Sequence, residues 1–191
     1  MFIGTELEKY QELARRLTPD EFSSQCEGYY LFVDTSSNTP VGELDYYTGI
    51  IRTEPPGANG APPTNPRREA MKPGLFLIKL TKKPDSPWSR WYSVGRANNA
   101  DVVLRHPSVS KLHARIHRPD PMDPSNDLTD SLSITDMGST KGTTLNRERL
   151  IPSTRYPLQI GDKVTFGDVQ TIFFDAQMLY SHLAAMVDVV D

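Results

Sequence analysis

The chain predicts a mainly β fold: a sandwich of short strands, with a helical and extended appendage before it and a short helix after it. Three observations predict this. From Leu75 onward, short apolar or alternating runs recur, each closed by turn-forming residues. Gly167-Asp168 stands between two such runs as a hairpin signal. Apolar residues at helical spacing occur only near the two ends.

Residues 5–17 predict a helix. Thr5 caps it, Glu8 completes a capping box, and Leu7, Tyr10, Leu13, Ala14 and Leu17 mark one apolar face. Thr18-Pro19-Asp20 stops it. Residues 29–33 predict a short buried strand between Gly28 and a polar turn, and residues 50–52 a second one. Proline and glycine crowd residues 54–74, which predicts a linker or extended arm. The expected organisation is an appendage over 1–53, a linker over 54–74, the sandwich over 75–175 and a C-terminal helix over 176–191.

Within the sandwich, strands are expected over 75–80, 91–94, 102–104, 113–117, 132–135, 163–166 and 170–174, with a further strand containing Leu145. Met178, Leu179, Leu183 and Met186 predict a docking helix at the end. Residues 119–130 are a long polar loop. Its aspartates lack the regular steps and closing glutamate of an EF-hand, so a solvated loop is expected rather than a calcium site.

Composition narrows the function. The 191 residues are 37% hydrophobic and 24% charged, with net charge −3. Residues 1–74 carry 7 Lys and Arg against 11 Asp and Glu, residues 75–191 14 against 13. No overall field favours nucleic acid, and the second part does not repel an acidic ligand as a body. The single Cys26 excludes an intrachain disulfide and a Cys-rich metal site. No apolar run approaches the roughly 18–20 residues of a membrane span. The N-terminus lacks a signal-peptide pattern, so a cytoplasmic protein is expected. His113 and His117, four apart on one strand, stand about 13 Å apart, too far for one metal. Neither catalysis nor a cofactor is expected.

Three turn-like segments carry the site chemistry. Gly95-Arg96 ends a strand, and arginine's planar fork suits phosphate oxygens. Ser110-Lys111-Leu112-His113 offers a hydroxyl, an amide and a cation, with a histidine placed to hydrogen-bond back and fix the loop. Ser139-Thr140-Lys141-Gly142-Thr143 is a tight loop of small residues whose amides form an anion nest. None of these groups pairs a nucleophile with a base. The set suits holding an oxyanion.

Gly95-Arg96, Ser110-x-x-His113, Asp136-x-Gly138-Ser139-Thr140-Lys141-Gly142-Thr143-x-x-Asn146 and Leu158-Gln159-Ile160-Gly161-Asp162-Lys163-Val164 follow one another in order. Over roughly residues 75–175 this resembles the FHA (forkhead-associated) family of antiparallel β-sandwiches. The resemblance implies a non-catalytic module that binds a Thr-phosphorylated protein or peptide, the product of a Ser/Thr kinase, with no nucleic acid or membrane partner. It implies that Arg96, Ser110 and Thr140 hold the phosphate, with Lys111 and Lys141 beside it. It gives Gly95, His113, Gly142 and Asn146 architectural roles in the loops. Lys141 stands where many members have an asparagine that bonds the peptide backbone, and lysine cannot accept a hydrogen bond. Arg147 stands where the family often has glycine. Ser108 lies near where some members read a downstream side chain, and a serine there predicts weak selection for acidic residues. The alternative is a phosphate-independent scaffold that keeps the sandwich and uses another face. Self-association is a further expectation: Thr18, once phosphorylated, is bound by the sandwich of the same or a second copy, with residues 54–74 providing reach.

Overall fold

The computed structural model describes residues 4–34, 75–84, 90–119 and 132–187. Two sheets face each other. One has the strand order β2-β1-β11-β10-β7-β8, from Leu75–Lys79 (β2), Tyr29–Asp34 (β1), Val169–Asp175 (β11), Lys163–Phe166 (β10), Thr143–Leu145 (β7) and Glu148–Arg149 (β8). The other is β4-β3-β5-β6-β9, from Val102–Val103 (β4), Trp91–Gly95 (β3), Ala114–His117 (β5), Ser133–Asp136 (β6) and Arg155–Pro157 (β9). Neighbours pair antiparallel, except β3 and β4, which run parallel. Inward residues of both sheets form one core, including Leu31, Phe76, Val94, Ile116, Ile134, Phe166 and Phe173.

A second core lies on the other face of β1, β2 and β11. There Tyr30, Phe32, Leu77 and Phe174 meet three helices, Gly4–Arg16 (α1), Pro19–Gln25 (α2) and Ala176–Val187 (α3). Strand residues alternate sides, so β1 sends Leu31 and Val33 to the inner core and Tyr30 and Phe32 to the helices. An apolar run with no polar face is what a strand covered on both sides requires. From the helices, Phe22, Leu179 and Leu183 are fully buried, and Phe22 packs edge-on against Tyr10 and Tyr180. Met178, expected on the apolar face of α3, is 39% exposed, and Tyr180 packs inward instead.

The sandwich takes in Tyr29–Asp34, which the sequence placed in the appendage. Leu31 pairs with Phe173 on one side and with Ile78 on the other. Residues 35–74 therefore join two adjacent strands of one sheet rather than separate two units. The expected strand at 50–52, the breaker-rich arm over 54–74 and nearly all of the 119–130 loop lie outside the described residues. Register places Val33 opposite Thr171 and Asp34 opposite Leu75. The end of β1, the start of β2 and the β10–β11 turn thus share one end of the sandwich.

Thr18 does more than stop α1. It is the N-cap of α2: Glu21 N–H donates to its hydroxyl, and Glu21 accepts from the Thr18 N–H at 2.9 Å. The reach expected of residues 54–74 does not apply to Thr18. Those residues follow β1, whereas Thr18 is held on the helical layer ahead of it.

Candidate functional site

The three site segments are loops at one end of the five-stranded sheet. Gly95 closes β3, and the following loop leads to β4. No side chain larger than hydrogen fits at Gly95: a Cβ there would stand 2.2 Å from the Lys111 carbonyl oxygen. That close approach lets Arg96 N–H donate to the Ser110 carbonyl at 2.9 Å and Ala97 N–H to that of Lys111 at 3.2 Å. The Arg96 side chain is exposed, and its Nε donates to the Val109 carbonyl at 3.0 Å. The guanidinium is thus anchored by one nitrogen, with its outer edge open.

The β3–β4 loop is fixed from below by Asp101. Its buried carboxylate accepts from Lys82 Nζ at 2.8 Å, from Ser93 Oγ at 2.7 Å and from Ser93 N–H at 2.8 Å. Burial pushes the Asp101 carboxyl up, but the Lys82 and Ser93 bonds outweigh it and hold it below its ordinary value.

His113 joins two loops. It is fully buried, Nδ1 accepts from Ser110 N–H at 3.0 Å, and Nε2 donates to the Gly142 carbonyl at 3.2 Å. An acceptor and a donor on one ring define the neutral Nε2–H tautomer. Burial lowers the His113 pKa, against opposing pulls from the Gly142 carbonyl and Asp136. Ser110 then bridges to the third loop: Thr140 N–H donates to Ser110 Oγ at 3.1 Å, and that hydroxyl lies 3.4 Å from Thr140 Oγ1. Arg96, Ser110 and Thr140 are brought together in this way. Lys111 is exposed beside Ser110, and Lys141 is exposed beside Thr140.

Asp136 shapes the β6–β7 loop, a role the sequence left unassigned. One oxygen accepts from Gly138 and Ser139 N–H, both at 2.9 Å. The other accepts from Ser139 Oγ at 2.7 Å and Thr143 Oγ1 at 2.6 Å. Burial raises its pKa, and the Ser139 and Thr143 bonds overcome that and lower it. An aspartate two and three residues before glycine and serine is the signal for such an Asx turn. Gly142 has φ +86°, and the Arg149 guanidinium occupies the place where its Cβ would be.

Ser108 ties two loops together. It is buried, its hydroxyl lies 2.6 Å from His106 Nδ1, and it accepts from Asp168 N–H at 2.9 Å. Both sides of the hydroxyl are taken by these bonds. Asn146 braces the β7–β8 turn against the residues that lead into β10. Its side chain donates to Asp162 at 2.7 Å and accepts from Lys163 N–H at 3.0 Å. Asn146 and Arg147 have φ of 50° and 77°, so both central residues of the β7–β8 turn are left-handed and Arg147 adopts the conformation glycine has elsewhere.

The chemistry of this end is that of an anion cradle. Outward cations and hydroxyls stand on loops cross-braced by buried carboxylates and a neutral histidine. No group of His, Cys, Asp and Glu among the described residues could hold a metal ion, and no described helix is long and apolar enough to cross a membrane.

A model of the FHA domain matches residues 92–167. Kanadaptin of Homo sapiens is 37% identical over 107 residues, 55% of this chain and 14% of that protein. The DNA damage response protein kinase DUN1 of Saccharomyces cerevisiae is 33% identical over 82 residues, 43% of this chain and 15% of that protein. The similarity thus spans about a seventh of each relative. Among solved structures, the FHA domain of the CT664 protein from Chlamydia trachomatis is 19% identical, with 78% of this chain and 98% of that one covered and a TM-score of 0.40. The N-terminal FHA domain of Rad53p from S. cerevisiae, solved with a phosphothreonine peptide, is 21% identical, with 56% and 89% covered and a TM-score of 0.40. The match over residues 92–167, set in a sandwich of two mostly antiparallel sheets, shows that this chain carries an FHA domain.

Proposed function

We propose that this chain is a non-catalytic module that binds a threonine-phosphorylated segment of a partner protein, the product of a Ser/Thr kinase. The observation that carries this reading is the convergence of Arg96, Ser110 and Thr140, from three separate loops, with His113 tying two of the loops together. A phosphothreonine brings about −1.5 to −2 charges and three acceptor oxygens. The Arg96 fork, the two hydroxyls and the Lys111 ammonium supply matching donors. Their preorganisation supports recognition, because little ordering is left for the moment of binding.

Titration calorimetry with matched phosphorylated and unphosphorylated peptides tests the proposal. The phosphorylated form binds and the other does not. Arg96→Ala abolishes binding with an unchanged melting curve, and Ser110→Ala weakens it by a smaller step, about 10-fold for one charge-assisted bond. Equal affinity for both peptides, or full affinity in Arg96→Ala, overturns the assignment and favours the phosphate-independent scaffold.

A further inference from the structure

The sequence marked Asp168 only as part of a hairpin turn. It follows Gly167 in the β10–β11 turn, and that turn is pinned to two site loops. Asp168 N–H donates to Ser108 Oγ at 2.9 Å, and Gly167 N–H to the Gly142 carbonyl at 3.0 Å. Ser108 also fills the space beside Gly167, where a Cβ would stand 2.5 Å from the serine carbonyl. The backbone under Asp168 is therefore fixed, while its carboxylate is 48% exposed and 4.0 Å from Lys141 Nζ, itself 60% exposed. So open an ion pair adds little to stability. Both charged ends remain accessible to a ligand.

The pair begins one residue beyond Thr140, at the edge of the phosphate cradle. In an extended peptide, one residue points its own N–H and C=O to the same side, as paired antiparallel strands do. Meeting both groups takes an acceptor and a donor side by side. Lys141 only donates, and a carboxylate only accepts. Together they offer what neither offers alone.

We propose that Asp168 and Lys141 form a two-residue clamp on the main chain of the bound phosphopeptide, Asp168 accepting a peptide N–H and Lys141 donating to a peptide carbonyl. The inference rests on the phosphothreonine reading above. Such a clamp adds affinity without selecting a side chain.

The sign of one mutation separates this clamp from a plain charge effect. Removing a negative charge beside a phosphate site strengthens its attraction for a dianion, whereas removing an acceptor weakens binding. The probe is a fluorescein-labelled peptide with a central phosphothreonine, chosen from a degenerate library by retention on the wild-type chain. Fluorescence polarisation should show Asp168→Ala binding about three- to tenfold more weakly, with an unchanged melting curve. In a Lys141→Asn background, where one amide both donates and accepts, Asp168→Ala should leave affinity unchanged. Replacing successive peptide amides near the phosphothreonine by esters removes one N–H at a time. One such ester should weaken binding to the wild type and leave binding to Asp168→Ala as it was. Equal or tighter binding by Asp168→Ala overturns the clamp and leaves the phosphate site standing. A wild-type chain that retains no phosphorylated peptide overturns the phosphothreonine reading, and the clamp with it.

Discussion

His113 shows how much of a loop's shape depends on a residue that never meets solvent. Its two ring nitrogens hold the Ser110 amide and the Gly142 carbonyl. Truncation leaves the Ser110 amide without its acceptor, at about 1–3 kcal/mol, and takes one of two donors from the Gly142 carbonyl, which keeps Gly167 N–H. His113→Ala should therefore lower Tm by about 2–4 °C for every kcal/mol lost, and calorimetry should show weaker peptide binding as the loops separate. An unchanged Tm with weakened binding would instead place the ring against the ligand. The motif was legible here, because a serine and a histidine three apart ahead of a strand invite that bond. Asp136 and Asp168 were less legible. A turn aspartate is common, and only the folded chain brings Asp168 within 4.0 Å of Lys141, 27 positions earlier in sequence.

Among the elements, strands with an apolar pattern could be read, down to the two valines of β4, and two short strands without one could not. β10 and β11 declare themselves by alternation around a Gly-Asp turn. β8 is two exposed residues and β9 three residues with none fully buried, so no hydrophobic pattern marks them. The seven residues of α2 bury Phe22 alone, and Thr18-Pro19 serves equally as the end of one helix and the beginning of the next. That one side chain tests the helical layer. Phe22 is fully buried between Tyr10 and Tyr180, so Phe22→Ala should cost about 3–5 kcal/mol, read as a lower denaturant midpoint. Phosphopeptide affinity should persist under native conditions, because the helices cover a sheet face and the binding loops lie at the end of the sandwich.

At the scale of the molecule, buried ionisable groups set how stability responds to acid. His106, His113 and His182 are all held below their ordinary value of 6.5, in each case first by burial. A depressed histidine is neutral in the fold and takes up protons more readily when unfolded. Its contribution is complete above about pH 6.5 and is lost as pH falls toward the folded pKa. Asp101 and Asp136 are also depressed, from an ordinary 3.8, so their contribution is complete above about pH 4 and is lost below it. Melting temperature should thus fall in two stages on acidification, the first beginning near pH 6.5 and the second near pH 4. A flat profile between pH 7 and 5 would contradict the neutral, bracing histidines.

The place of β1 in the sheet carries a consequence for how the chain acquires its shape. Tyr29–Asp34 leaves the ribosome well before β11, one of its two partners. Pairing across so long a separation carries a loop-closure cost that local contacts do not, and folds built on such pairings form slowly. An apolar strand with no finished partner is also an adhesive edge while synthesis proceeds. The six-stranded sheet cannot be completed until β11 has emerged, so truncations that stop before Val169 should yield insoluble chains rather than smaller working domains.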